Sequence, residues 1–400
     1  MMDNKMVLIT LIGPDRPGIL AAVTGCIADG GARIRDIEQS VTHTLMLLSL
    51  LIDFPTGESD QKPLIKDLLF LAKELGLQLD FEVVAEEDYQ NLQSSRYGYV
   101  LTMLGDSVDA GAVNRVASLL TDYSINIDRI NKLTRGQLRC VEFFLNVPNN
   151  TDLKGMTRQL LAEGGGLGID IAVQKENLYR RAKRLVVLDM DSTLIQIEVI
   201  DELARLAGVG EQVAGITERA MNGELDFQQA LRERVSLLKG LPADALEQVY
   251  HDLPFTPGAK NLVRILRQLG FRTAVISGGF DFFTDRLKAE LGLDYAYANA
   301  LEIADGKVTG QVAGAIVDGQ RKAELLAEIA EREGITLSQV IAIGDGANDL
   351  PMLDRAGLGI AFNAKARVRE QADYHINQGS LDSILHLLGI AEWEMAELSK

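Results

Sequence analysis

The chain has 400 residues, 47% of them hydrophobic, and its 57 acidic and 40 basic side chains give a formal net charge of -17. This length and composition suit two or three packed domains and exclude a disordered or fibrous class. The negative charge excludes nucleic acid and anionic membranes as expected partners, because most of the surface would repel them, and it favours small-molecule ligands.

Two consecutive stretches of the chain predict the same order of elements. The spacing of apolar residues in the first stretch predicts strand 7–12, helix 19–29, strands 33–40 and 44–54, helix 62–75 and strand 78–84. The second stretch predicts strand 99–104, helix 110–121, strands 126–133 and 139–147, helix 152–162 and strand 169–174. The shared βαββαβ order predicts two tandem copies of one unit.

The segment GPDRPGIL joins the first strand to the first helix. Alone it predicts a plain turn, since its prolines cannot donate to a ladder and Gly18 permits close backbone approach. Together with the βαββαβ order and the glycine-rich helix end at 29–31, it resembles the ACT domain, a ferredoxin-like module that commonly binds amino acids. The resemblance implies a regulatory site in which Asp15 receives an ammonium and backbone N–H groups near Gly18 receive a carboxylate, with Arg16 between them. The second copy continues as DSVDAG and lacks the Arg-Pro-Gly segment.

A third domain is predicted after the polar stretch QKENLYRRAKR, which is typical of a linker or linking helix. Short apolar runs then alternate with helices, as expected for strands buried on both faces of a parallel sheet. The runs are RLVVLD, RTAVIS, VIAIGD and LGIAF, with crossover helices at 259–269, 281–291 and 322–333. Residues 200–254 predict only helices. We therefore expect a doubly wound, Rossmann-like α/β core with a helical cap.

Polar side chains follow three of these strands. The first strand ends at Asp189 and Asp191, the second at Ser277 with two glycines, and the third at the run GDGAND, 344–349. In open parallel sheets the ligand crevice lies at the carboxyl ends of the strands, so these groups should converge. Glycines there expose backbone N–H groups, as a phosphate or oxyanion site requires. So many acidic groups in one crevice require a cation.

With Lys322 added, the order DxDxT, serine, lysine and GDGxND resembles the motifs of the haloacid dehalogenase superfamily of phosphotransferases. The resemblance implies that Asp189 is a nucleophile that becomes an aspartyl phosphate, and that Asp191 is the general acid and base. It also implies a Mg²⁺ ion on the Asp189 carboxylate, the Asp191 backbone carbonyl and Asp345.

Supporting roles follow from the same resemblance. Asp349 would orient a metal-bound water and Thr193 would support the site. The phosphoryl oxygens would be held by Ser277, the Gly278 N–H and Lys322, with Asn348 supporting them. Singly, Lys322 could be a solvated helix residue, Thr193 a helix cap and Asp349 a charge favoured by a helix dipole. Their appearance together and in order favours the catalytic interpretation.

A closer resemblance bears on the substrate. The stretches DMDSTLIQIEVIDELARLAGV, ITERAMNGELDFQQALRERVSLLKGL and VISGGFDFF resemble the phosphoserine phosphatase family over residues 185–390. By that resemblance Glu198 receives the substrate ammonium, Arg234 grips its carboxylate, and Met221 and Phe227 exclude water when the cap closes. The implied reaction converts O-phospho-L-serine to L-serine and phosphate, the last step of L-serine biosynthesis. From the residues alone, Glu198 could be a helix-start charge and Arg234 a solvated residue.

Two other functions stay open. One is a phosphatase or phosphotransferase of the same superfamily that acts on another small phosphometabolite. The other is an amino-acid-binding regulator with a vestigial phosphatase domain, against which the intact acidic set argues. The expected organisation is an ACT-like domain at 1–88, a second at 95–176, a linker at 177–184 and the phosphatase domain at 185–400. ACT modules often pair, so we expect a homodimer, with L-serine as the candidate regulatory amino acid.

Location is predicted from the N-terminus and the cysteines. The start MMDNKMVLITLIG lacks the basic region and long apolar region of a secretory signal, and the apolar run at 45–52 is too short to span a bilayer. Cys26 and Cys140 lie in apolar stretches, which favours two buried, reduced thiols over a disulfide or metal site. We therefore expect a cytoplasmic protein.

Overall fold

The computed structural model describes residues 6–54, 62–85, 98–137, 139–372, 374–377 and 379–398. Contacts between residues divide the chain into two compact units, residues 1–96 and 97–400. Within the described ranges, every helix is too short or too polar to cross a bilayer.

The first unit is an antiparallel sheet with two helices. Its strands are β1 (Met6–Pro14), β2 (Arg33–Thr42), β3 (Leu45–Asp53) and β4 (Gln78–Val84), in the order β2-β3-β1-β4. The helices are α1 (Ile19–Asp29) and α2 (Lys62–Glu74). Alternate strand residues such as Ile9 and Leu48 pack with Val23 and Leu68 of the helices. This is the predicted βαββαβ unit, and Gly18 before α1 has a φ of 93°, a left-handed conformation that favours glycine.

The second unit begins with the same arrangement. It contains β5 (Gly98–Leu104), α3 (Ala110–Asp122), β6 (Asn126–Lys132), β7 (Cys140–Asn146), α4 (Leu153–Leu167) and β8 (Asp170–Lys175), with sheet order β6-β7-β5-β8. Helix α4 continues past the predicted end at residue 162, through three glycines, because tertiary packing overrides their weak helix propensity.

A short helix, α5 (Leu178–Arg181), leads from this copy into a seven-stranded sheet. The sheet order is β12-β11-β10-β9-β13-β14-β15. All neighbouring strands are parallel except the β11–β12 hairpin. The strands are β9 (Leu185–Leu188), β10 (Arg272–Phe280), β11 (Tyr295–Ala304), β12 (Lys307–Ala313), β13 (Val340–Gly344), β14 (Leu358–Phe362) and β15 (Tyr374–Ile376). The predicted doubly wound core is confirmed.

Three strands of that sheet, β11, β12 and β15, were not predicted. The hairpin β11–β12 turns at Asp305 and Gly306, which have φ values of 51° and 71°. An Asp-Gly pair between apolar runs is a strong signal of a β-hairpin, so the β11–β12 hairpin could have been predicted from the sequence. Strand β15 has only three residues, too few to show a periodicity.

Helices cover both faces of the sheet and form the cap. The cap helices are α6 (Val199–Leu206), α7 (Gly210–Met221), α8 (Phe227–Leu237) and α9 (Asp244–His251). The others are α10 (Ala259–Gln268), α11 (Asp281–Leu291), α12 (Gly319–Arg332), α13 (Leu350–Arg355), α14 (Ala366–Gln371), α15 (Ile384–Leu387) and α16 (Glu392–Leu398). Helix α12 begins three residues before the predicted 322 because the Asp318 side chain accepts a hydrogen bond from the Arg321 N–H and caps it.

The second βαββαβ copy packs directly on this core. Leu104 and Cys140 belong to one hydrophobic cluster with Leu385 and other residues of the sheet domain. Arg180 in α5 forms a buried ion pair with Glu142 of β7. The copy is therefore held to the core by both apolar contacts and a buried charge pair.

Candidate active site

The register of the parallel strands brings three strand ends together. Leu188 pairs with Val275 of β10 and with Ile343 of β13. The Asp189 N–H donates to the Ile343 carbonyl at 2.9 Å, so Asp189 leaves the sheet level with the last residues of β13. The predicted convergence at the carboxyl edge of the sheet follows from this pairing.

Lys322 is the positive charge at the centre of the crevice. Its side chain is 0% exposed, and Nζ lies 2.8 Å from Asp189 Oδ1 and 2.7 Å from Asp349 Oδ1. Burial alone lowers the pKa of Lys322, but Asp189 and Asp349 reverse this effect and raise it above its ordinary value. The alternative of a solvated helix residue is therefore wrong.

Three carboxylates form a group that could hold a metal ion. Asp189, Asp345 and Asp349 each place an oxygen within 4.8 Å of the others. Burial, and then the neighbouring Asp349, raises the pKa of Asp189 well above its ordinary value and that of Asp345 to about 7. Lys322 offsets only part of this repulsion, so an oxygen-coordinated divalent cation fits the remaining negative charge.

The Asp191 carboxylate is held by partners outside this group. One oxygen accepts a hydrogen bond from the Val199 N–H at 2.9 Å, and the other accepts one from the Ser277 hydroxyl at 3.2 Å. Burial, and then the negative charge of Glu198, raises the pKa of Asp191 to about 7. A carboxyl that is held by two donors and titrates near neutrality can act as both proton donor and acceptor.

Residues that support the site lie around this centre. The Thr193 hydroxyl donates to Asp345 Oδ1 at 3.0 Å, which fits the predicted support. A β-carbon on Gly278 would lie 2.8 Å from the Phe227 ring, so glycine permits the cap to approach this loop. The Gly279 N–H donates to Ser277 Oγ at 2.8 Å, and the Gly278 N–H stays the predicted phosphate donor. Asn348 lies in the 3-10 turn Ala347–Asp349 beside the acidic group.

The predicted substrate-recognition residues lie on the cap side of the crevice. Glu198 accepts a hydrogen bond from the Ser192 hydroxyl at 2.9 Å. Arg234 is partly buried in α8; burial lowers its pKa, and Asp201 and Glu198 counteract this effect. The structure does not close Met221 over the site, because its side chain, at the end of α7, is 63% exposed.

A buried amide that the sequence analysis missed links two of the site loops. Asn299 of β11 is 0% exposed. Its Nδ2 donates to the Gly278 carbonyl at 2.8 Å, and its Oδ1 accepts from the Val317 N–H at 2.8 Å. Asn299 thus joins the loop that contains Gly278 and Gly279 to the segment that leads from Val317 to Lys322. The only signal for it was a lone polar residue in the apolar run of β11.

The predicted amino-acid site lies in the first unit. Asp15 and Arg16 are exposed, and the Arg16 guanidinium donates to the Leu75 carbonyl. Gly18 is the residue before α1, whose first N–H groups lack a side-chain cap at that position. The three residues share one loop, and the sequence prediction of a ligand there stays a prediction.

Comparison with known proteins matches three parts of the chain to family models. Residues 186–354 match the haloacid dehalogenase-like hydrolases, and residues 5–82 and 98–174 each match an ACT domain. The chain is 43% identical to the phosphoserine phosphatase of Streptomyces coelicolor over 396 residues, covering 98% of this chain and 94% of that protein. It is 40% identical to the phosphoserine phosphatase SerB2 of Mycobacterium tuberculosis over 391 residues, covering 97% and 94%.

Two solved structures share the fold. A haloacid dehalogenase family hydrolase of Salmonella enterica serovar Typhi aligns with a TM-score of 0.64 at 33% identity, over 72% of this chain and 98% of that one. A probable phosphoserine phosphatase of Vibrio cholerae, in its unliganded form, aligns with a TM-score of 0.59 at 37% identity, over 76% and 90%.

Proposed function

Because the chain belongs to the phosphoserine phosphatase family of haloacid dehalogenase-like hydrolases and carries two ACT domains, we propose that it hydrolyses O-phospho-L-serine through an aspartyl phosphate with Mg²⁺ as cofactor. The products are L-serine and phosphate, and the reaction is the last step of L-serine biosynthesis. One observation carries the proposal: Lys322 bridges Asp189 and Asp349 beside a separately held Asp191.

The nucleophile is Asp189. Lys322 and the Met190 N–H both contact its Oδ1, so Oδ2 is the oxygen that we assign to attack on phosphorus. The P–O bond to serine breaks as the bond to Asp189 forms. A Mg²⁺ ion held by Asp189, Asp345 and the Asp191 backbone carbonyl would neutralise charge on the phosphoryl oxygens, and Asp349 would orient one of its waters.

Asp191 moves the proton in both halves of the reaction. Its carboxylic acid protonates the serine oxygen as that group leaves. The resulting carboxylate then takes a proton from the water that attacks the aspartyl phosphate, which releases phosphate and restores Asp189. A pKa of about 7 supports both roles, since each protonation state is accessible near neutrality.

Fixed donors hold the phosphoryl group during transfer. We assign this role to the Ser277 hydroxyl, the Gly278 N–H and the Lys322 ammonium, with Asn348 in support. Lys322 needs no reorganisation, because its two carboxylate partners already fix the ammonium at the end of the nucleophile. Donors that are in place before the reaction stabilise developing charge most effectively.

Glu198 and Arg234 select the amino acid. The exposed Glu198 carboxylate receives the substrate ammonium, and the planar Arg234 guanidinium receives the carboxylate through two N–H groups. Phe227, against Gly278, excludes water from the phosphoryl group, and Met221 contributes when the cap moves further over the site.

The test measures phosphate release from O-phospho-L-serine against Mg²⁺ concentration. Asp189→Asn should abolish turnover because it removes the nucleophile. Arg234→Ala should lower kcat/KM for phosphoserine roughly thirtyfold more than for p-nitrophenyl phosphate, as expected for loss of a charged pair to the substrate. Ordinary turnover by the first variant would refute the nucleophile assignment, and equal losses on both substrates would refute the selectivity assignment.

The ACT domains supply the proposed regulation. L-Serine binds the loop with Asp15, Arg16 and Gly18 and changes phosphatase activity, in a homodimer that works in the cytoplasm. A reducing location would keep both cysteines as thiols; Cys140 is buried as predicted, whereas Cys26 is only partly buried. Gly18→Val should abolish any response to added L-serine, because a β-branched residue does not adopt a φ of 93°. An unchanged response would reject this site, and sedimentation of the full chain tests the dimer.

A further inference from the structure

The cap is connected to the core through its two hinge segments, which pair with each other through backbone. Ile195 and Phe255 form an antiparallel bridge where the chain enters and leaves the cap. The Gln196 N–H donates to the Pro254 carbonyl at 2.9 Å, and the Thr256 N–H donates to the Leu194 carbonyl at 3.1 Å. These bonds join main-chain atoms only.

A second backbone connection joins the loop between α8 and α9 to the β11–β12 hairpin. The Gly240 N–H donates to the Val308 carbonyl at 2.8 Å, and the Val308 N–H donates to the Leu241 carbonyl at 2.9 Å. The Ala243 N–H donates to the Gly306 carbonyl at 2.9 Å. The C-terminal end of α8 is therefore fixed to the core.

The N-terminal end of α8 touches the core through side chains only. The Phe227 ring packs over Gly278, and Gln228 Nε2 donates a hydrogen bond to Asp318 Oδ2 at 2.8 Å. Both residues are partly buried. Since no main-chain bond needs to break there, this end of α8 can separate from the core while the two backbone connections stay paired.

Asp318 connects that contact to the catalytic centre. Its Oδ1 accepts from the Arg321 N–H at 3.0 Å, and its carbonyl accepts from the Lys322 N–H at 2.9 Å. It therefore caps α12, the helix whose first turn presents Lys322 to Asp189. One carboxylate thus contacts the cap with one oxygen and the lysine-bearing helix with the other.

We infer that Gln228 is a positioning residue that latches the cap closed through Asp318 and holds Phe227 over the phosphoryl-binding loop. The expected consequence is tighter binding of phosphoserine when the cap is closed, and this consequence rests on the proposed function. The partner of Gln228 in this contact, Asp318, is not one of the proposed metal ligands. The latch is neutral on the cap side and negative on the core side, so a second carboxylate at position 228 would repel Asp318.

The experiment compares Gln228→Glu, Asp318→Asn and the double variant in the full chain. Gln228→Glu should raise KM for phosphoserine about tenfold with a smaller change in kcat, as expected when a hydrogen bond to a charged group becomes a repulsion. Asp318→Asn keeps the helix cap, because asparagine is as good at that position, and its amide can donate to the new carboxylate. The double variant should therefore return to within about twofold of the wild-type KM.

Hydrogen exchange of the amides in residues 221–230 gives a readout that needs no substrate. Exchange should be faster in Gln228→Glu and return to the wild-type rate in the double variant. Gln229→Glu is the matched control: it adds the same charge one residue away, where the side chain accepts from the Asp226 N–H in a capping box that glutamate also forms. It should change neither exchange nor KM.

The outcomes separate the two proposals. If wild-type protein does not hydrolyse phosphoserine, the proposed function fails, while the exchange comparison still decides the latch. Unchanged exchange and KM in Gln228→Glu would overturn the latch, as would failure of Asp318→Asn to restore the double variant. Equal urea midpoints for all four variants should accompany the expected result, since the latch acts on the cap position and not on folding.

Discussion

The buried ion pair between Arg180 and Glu142 predicts a large cost for removing one charge and a small cost for removing both. The two side chains are 1% and 3% exposed. Arg180→Met leaves the Glu142 carboxylate buried without its cation, which should lower the free energy of unfolding by about 3–5 kcal/mol. Replacing both residues, Arg180→Met with Glu142→Leu, should leave stability within about 1 kcal/mol of wild type, because apolar residues often replace a buried ion pair at little cost and Glu176, the other partner of Arg180, is 28% exposed to solvent.

Urea unfolding measures this difference, and labelling of Cys140 reports where it acts. Burial, and then the Glu142 charge, raises the pKa of the Cys140 thiol far above its ordinary value, and the residue is 0% exposed. Cys140 shares a cluster with residues of the catalytic domain, so its reaction with a thiol reagent requires the second ACT domain to separate from that domain or to unfold. Arg180→Met should label faster than wild type in the absence of urea.

A surface pair in the same ACT domain serves as the control. Arg115 and Glu163 lie 2.8 Å apart with side chains 63% and 34% exposed, and Arg115→Met should change stability far less because solvent screens the pair. The reasoning would be refuted if Arg180→Met matched this control. It would also be refuted if the double variant lost as much stability as the single one.

Three further predictions concern the catalytic domain and the linker that precedes it. Asn299→Leu leaves the Gly278 carbonyl and the Val317 N–H unpaired in a buried site, and it should cost about 2–4 kcal/mol in urea unfolding. Thr193→Val removes the donor to Asp345 and should raise the Mg²⁺ concentration for half-maximal activity about tenfold to a hundredfold, with equal values arguing against the metal assignment. Burial lowers the pKa of Lys183 from its ordinary value of 10.5 to about 8. Between these two pH values Lys183 is protonated in the unfolded chain and neutral in the folded one, so the free energy of unfolding rises with pH. Lys183→Met should abolish that rise, as measured by urea unfolding across the same range.

The convergence of the candidate site was predictable because each of its predicted members follows a strand or begins a helix at a fixed place in the chain. Parallel pairing of β9 with β10 and β13 then brings Asp189, Ser277 and Asp345 to one edge without further information. The burial of Lys322 was not predictable from its own helix, since it requires knowing that Asp189 and Asp349 both face it. The sequence pattern shows where such a lysine lies in its helix. Its burial and charge state depend on which other charged groups line the same crevice.

The contacts that the sequence did not predict join segments with unrelated patterns. Asn299 bonds to residues on two loops, and Gln228 bonds to Asp318 across 90 positions of sequence. Neither side chain changes the periodicity of its own element, because one polar residue in a strand or on a helix surface is ordinary. The partners of Asn299 and Gln228 become known only from the folded structure, which brings the loops together.

The two ACT copies show where periodicity stops being informative. In the first copy Thr10 pairs with Ser49 and Asp80, and at the corresponding register of the second copy Thr102 pairs with Glu142 and Ala172. A strand pattern places all of these on the sheet face away from the helices, where a carboxylate is expected to be solvated. Glu142 is instead 2% exposed, because this face of the second copy packs on the catalytic domain and Arg180 neutralises the charge. Packing of the second copy against the enzyme is therefore encoded at the face where the two copies differ.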